Sequence, residues 1–262
     1  MRQLHWQHRW AAPLAVVIAS IGLASLWVSS LLVGSKQSTE STAITIYVFP
    51  LIVTGLLYVF LRRVSTLRDT RFRVRNIRYG GYLLIAGAVL ASAFFLAPPS
   101  GGLVFPSPSS VLFFVVGALL TGTWEELLCR GLIQNVLTEA FGTDQRRTWW
   151  SIIAASGIFA VLHFIRLTTD PQLILTVTTQ VFYAFAIGLL LGVIYHLTRD
   201  LPAVILLHAT FNMLGGIGAL FTPPAPGAAS DIPVIAALIL LVVLMPAIWV
   251  ARRIFIRHST DI

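Results

Sequence analysis

VLFFVVGALLTGTWEELLCRGLIQNVL, Val111–Leu137, is the stretch that decides the fold. It is long enough to cross a bilayer, and its only charges are Glu125, Glu126 and Arg130. A charge near the centre of a membrane helix costs about 2.5–3.5 kcal/mol on insertion scales. Two adjacent acids and a base in such a setting mark a functional position by default. Glu126 and Arg130 stand four residues apart, so they share a helix face and can pair. Glu125 is turned about 100° away, and nothing in its own helix balances its charge.

Outward from this stretch the chain reads as membrane throughout. Its 262 residues are 57% hydrophobic and only 11% charged, with a mean hydropathy of +0.86. A soluble domain usually carries about a quarter charged residues. Eight apolar runs approach the roughly 20 residues that a spanning helix needs: 12–33, 43–61, 79–97, 109–138, 148–165, 172–196, 202–221 and 232–250. The expected fold is an all-α polytopic bundle of about eight transmembrane helices. It forms a single membrane domain over 1–262. Residues 1–108 hold the first spans and a basic loop, 109–221 a catalytic core, and 222–262 the final span and a basic tail. The longest polar connection, Arg62–Arg78, leaves no separate soluble domain.

Charge orients the bundle. With eight spans and the N-terminus inside, Arg2, Arg9, the seven arginines of Arg62–Arg78, Arg146, Arg147, Arg199, Arg252, Arg253 and Arg257 all fall on the inner side, 15 of the 18 Lys plus Arg. Lys36 and Arg166 are outside and Arg130 lies within a span. This asymmetry places both termini in the cytoplasm, in what is expected to be the plasma membrane of a prokaryote. The net charge of +8 is therefore a topology signal and not a nucleic-acid surface, because the arginines flank spans. Membrane lipids are expected partners, with Arg62–Arg78 lying on anionic headgroups of the inner leaflet. The first apolar run is longer than a signal-peptide core and reads as a retained anchor. The single cysteine, Cys129, excludes an internal disulfide framework and reads as a small packing residue. Ala97–Ser110, uncharged and rich in Pro, Gly and Ser, reads as an outer connection or partial re-entrant loop. Gly188 and Gly192 form a GxxxG spacing, which speaks of close helix packing.

Polar residues inside the spans carry the functional reading. Phe159 and His163 are four apart in FAVLH, and His208 and Asn212 repeat that spacing in HATFN. The candidate constellation is Glu125, Glu126, Arg130, His163, His208 and Asn212. A carboxylate beside an imidazole can hold and deprotonate water. A second imidazole and an amide on another helix can donate to a developing oxyanion. Together they would suffice to hydrolyse an amide without a covalent intermediate. Two histidines and a carboxylate are also a common zinc set, although the HExxH spacing is absent. The same residues could instead serve a non-catalytic transporter or immunity scaffold. No cofactor is expected.

EELLCR (Glu125–Arg130) fits EExxxR, FAVLH (Phe159–His163) fits FxxxH, and HATFN (His208–Asn212) fits HxxxN. Over Val111–Leu214 the chain resembles the CPBP family of intramembrane proteases, the CAAX-protease and bacteriocin-processing group also called Abi, to which the Ras-converting CAAX endopeptidase belongs. The resemblance implies a glutamate-dependent, metal-independent endopeptidase acting on a peptide or protein substrate, lipidated in some members. By position, Glu125 would activate water with His163. His208 and Asn212 would form the oxyanion hole, and Glu126 and Arg130 would orient the first glutamate. Depth is the one discordant expectation. Glu125 and His163 fall roughly 20 Å from the inner ends of their spans, but His208 only about 9 Å from the start of its own. The cavity is expected to open towards the cytoplasm.

Overall fold

The computed structural model describes residues 8–33, 39–64, 69, 72–96, 102–142, 144–222 and 234–259. The elements are α1 (His8–Val33), α2 (Thr39–Val64), a 3-10 segment (Val74–Gly80) leading into α3 (Gly81–Leu96), and α4 (Pro108–Glu126). From α4 the chain continues through a π-helical stretch (Leu127–Gln134) into α5 (Asn135–Phe141). Next come α6 (Gln145–Leu162), which tightens into a 3-10 turn (His163–Thr168), then α7 (Ile174–Thr198), α8 (Leu201–Phe221), α9 (Val234–Leu244) and α10 (Ala247–Ser259). Among the described residues eight helical stretches are long and apolar enough to cross a membrane, and each overlaps one expected span. The protein is an all-α, multi-pass membrane bundle.

The arrangement follows from where apolar surface goes. α7 is the central helix: 67% of its most apolar window is buried, against 33% or less in every other span. The outer helices turn residues such as Ile85, Leu96, Ile235 and Val242 outwards, as lipid-facing surfaces require. The last span runs further than expected, to His258, because the chain breaks at Met245–Pro246 and resumes as α10. Pro246 has no N–H to continue the ladder. The basic tail is thus helical, and Arg252, Arg253 and Arg257 lie exposed along it.

The connection after α3 begins outside the described residues, at 97–101. Residues 102–107 then run without helix, and the Val104 N–H donates to the Phe221 carbonyl at the end of α8 (2.9 Å). Ser107 caps α4 by accepting from the Ser110 N–H (3.1 Å), with Pro108 at the first helical position. Lys36 and Arg2 lie outside the described residues.

A two-residue turn joins α7 to α8. Arg199 adopts a left-handed conformation (φ 53°) that closes α7, while its guanidinium lies 4.7 Å over the Tyr195 ring. Asp200 then caps α8 by accepting from the Ala203 N–H (3.0 Å). The Asp200 carboxylate is wholly buried, because the segment before α3 folds over it. It accepts from the Arg73 N–H (2.8 Å) and the Asn76 amide (2.9 Å). Asp200 and Leu201 at the start of α8 are thus buried, while Pro202 beside them is exposed. α4, its π-helical extension and α5 run on from Glu126 to Phe141, roughly 20 Å further along the same direction. Beside the turn, Tyr195 donates to Asp69 and accepts from the Asn135 amide (3.0 Å). Burial pushes the Asp69 carboxyl above its ordinary range, opposed by the Tyr195 hydroxyl and the Arg199 charge.

Candidate active site

Two small residues set the site. Gly122 on α4 faces Ala209 on α8 so closely that a Cβ at Gly122 would sit 3.2 Å from the Ala209 backbone nitrogen. One turn beyond Gly122, that approach puts Glu125 and Glu126 beside His208. The His208 Nδ1–H donates to Glu126 Oε1 (2.7 Å), and Nε2 lies 3.4 Å from Glu125 Oε2. The same Glu126 oxygen accepts from Arg130 Nη1 (2.9 Å). Glu126 and Arg130 are buried, with 0% and 2% of the side chain exposed, so this pair is held entirely within protein.

Arg130 reaches further, as Nη2 donates to the Gly188 carbonyl of α7 (2.8 Å). One turn on, Gln134 donates to the Gly192 carbonyl (2.8 Å). Both donors come from the π-helical stretch, whose wider turn is a frequent mark of functional positions in helices. Residues 130 and 134 thereby meet residues 188 and 192 in register. The GxxxG spacing does pack, and its carbonyls also receive the polar side chains, a role that spacing alone did not reveal. A Cβ at Gly188 would stand 2.9 Å from the Phe159 ring and 3.4 Å from Arg130 Nη2. Gly188→Val is expected to destabilise the protein by about 1–3 kcal/mol through overpacking. Gly157→Ala, where a Cβ meets nothing within 4 Å, should not. Thermal unfolding in detergent checks both.

Phe159 is the residue around which the others stack. Its ring meets His163 edge-on (centroids 5.0 Å) and His208 edge-on (5.9 Å), while the Arg130 guanidinium lies 4.9 Å over it. The sequence motif FxxxH contained this residue but did not reveal its contacts. His163 Nδ1–H donates to the Phe159 carbonyl (3.0 Å), which in the neutral ring leaves a lone pair on Nε2.

Glu125, His163, His208 and Asn212 line one cavity of ≈ 660 Å³. Glu126 and Arg130 stand behind its wall. The Asn212 side-chain amide makes no hydrogen bond among the described residues, and it follows His208 by one helical turn on the cavity face of α8. Buried Leu128, Cys129, Phe159, Ala184 and Ile187 close the inner part. Trp27, Arg166, Thr168 and Thr169, all exposed, form the rim. The rim therefore stands at the end bearing the α1–α2 and α6–α7 connections, away from Arg252, Arg253 and Arg257. Glu125 and His163 lie far along their helices from the arginine-rich end. Among the described residues no group of three His, Cys, Asp or Glu side chains is arranged to hold a metal ion.

No curated protein and no solved structure matches the chain. A family model does, described as Rce1-like, type II CAAX prenyl endopeptidase, over residues 107–214. That segment runs from the Ser107 cap of α4 to Leu214 on α8, and it contains all three motifs and every lining residue named from α4, α6, α7 and the first half of α8. Through this core of α4 to α8, somewhat under half of its length, the chain is similar to the CAAX-protease superfamily of membrane proteases.

Proposed function

We propose that this protein is an intramembrane glutamic endopeptidase that hydrolyses a peptide bond of a membrane-associated polypeptide. The observation that carries the reading is the meeting of Glu125, His163, His208 and Asn212 on one cavity, with Glu126 and Arg130 buried behind them. Glu125 takes a proton from a water that His163 Nε2 helps to hold, and the water oxygen bonds to the scissile carbonyl carbon. The carbonyl oxygen becomes an oxyanion, which accepts from the Asn212 amide and from His208 Nε2–H. With Nδ1–H committed to Glu126, His208 offers Nε2–H only as an imidazolium. Glu125 and Glu126 against Arg130 leave one negative charge, which that imidazolium balances. The proton held by Glu125 then passes to the leaving nitrogen, the C–N bond breaks, and a carboxylic acid and an amine depart.

The walls suit an amphiphilic chain. Leu23, Leu26, Trp27 and Ile46 line one side, and Gln180, Arg166 and Thr169 supply polar groups. The volume lies within the roughly 300–1,000 Å³ of pockets that enclose organic ligands. Whether the substrate is prenylated, as the name of the matching family suggests, is decided by assay. Purified protein in detergent is offered quenched fluorescent peptides, prenylated and unprenylated, with and without chelator. The expected result is cleavage that chelator leaves unchanged. Cleavage abolished by chelator would instead make the enzyme metal-dependent. Intact peptides throughout, from folded protein, would favour a scaffold or transporter.

A further inference from the structure

The cavity and the arginines lie at opposite ends of the bundle. Arg147 in the first turn of α6 and Arg166 on the cavity rim are separated by 19 residues of helix, roughly 30 Å. That is the thickness of the hydrocarbon layer, so the two arginines sit at opposite faces of a bilayer. Arg147 belongs with the arginine-rich end, where 15 of the 18 Lys plus Arg fall along the chain. Such an excess marks the cytoplasmic side, because inserting chains keep short basic flanks there. Trp27 and Thr169 share the rim with Arg166; Trp27 lies in the last third of α1 and Thr169 just past the 3-10 turn that follows α6.

We infer that the cavity opens to the extracytoplasmic face, and that its substrate is a membrane-anchored polypeptide presented from that side. The substrate part of this statement rests on the peptidase reading above; the side of opening does not. A substrate entering here brings its scissile bond from the outer leaflet or the space beyond it, with its apolar residues against Leu23 and Ile46.

Single cysteines introduced into a Cys129→Ala background test the side without any turnover. Thr169→Cys and, separately, Arg252→Cys are treated with a membrane-impermeant maleimide in spheroplasts, before and after permeabilisation, with a detergent sample as the labelling control. Thr169→Cys is expected to label fully before permeabilisation, and Arg252→Cys only after it. The reverse pattern overturns the inference. So does a Thr169→Cys that labels in detergent but in neither membrane sample, because then no aqueous opening exists there. Orientation-selected proteoliposomes then test use of the opening. Peptide is expected to be cleaved only when supplied at the Thr169 face. Correct labelling with no cleavage from either face would defeat the peptidase reading and leave the outward opening standing, whereas cleavage only from the Arg252 face would overturn the inference.

Discussion

Glu125→Gln is expected to lower the rate of peptide cleavage by about 10²–10⁴-fold, the contribution of a positioned general base. The amide keeps the shape of the side chain but cannot accept the proton of water. Folding should survive the change, because Glu125 lines the cavity and among the described residues its carboxylate meets one charged partner, His208, at 3.4 Å. The measurement is the single-turnover rate on the best peptide, beside thermal unfolding of the same sample. A variant that cleaves at the parental rate would remove Glu125 from the chemistry. A variant that unfolds early would show that its charge is structural.

Arg130→Met is expected to have the opposite profile, with stability falling by about 3–5 kcal/mol. The guanidinium is 2% exposed and is shared between Glu126, the Gly188 carbonyl and the Phe159 face. Methionine fills much of the volume but leaves a buried carboxylate with His208 as its one remaining partner among the described residues. Arg130→Lys should recover part of the loss, since one ammonium can reach Glu126 but cannot fork to α7 as well. The unfolding temperature in detergent reads the effect, which must rank Met below Lys below the parent. A Met variant as stable as the parent would mean that the pair at 2.9 Å contributes nothing to the fold.

The bundle was legible because a membrane reads hydropathy directly: each of the eight apolar runs became helical, and the largest shortfall is at the end of the last. The Glu126–Arg130 pair was legible for a similar reason, since four residues on a helix bring side chains together whatever surrounds them. Contacts between helices left weaker traces. Nothing in the sequence ties Arg130 to the carbonyl of Gly188, because a backbone oxygen has no letter of its own. Phe159 stood in its motif only by its spacing from His163, while its ring touches both imidazoles and the guanidinium. The burial of Asp200 at the start of α8 left no trace either, because its partners come from the segment before α3.

That buried carboxylate also sets an order of events. Asn76 and Asp200 are 124 residues apart in the chain, yet their side chains complete each other. At about 5–20 residues per second, a ribosome needs roughly 6–25 s to make the intervening chain. For that interval the segment before α3 lacks the acceptor it closes upon, and α3 cannot take up its final seat. The turn before α8 thus locks the segment before α3 in place only after seven helices have been made.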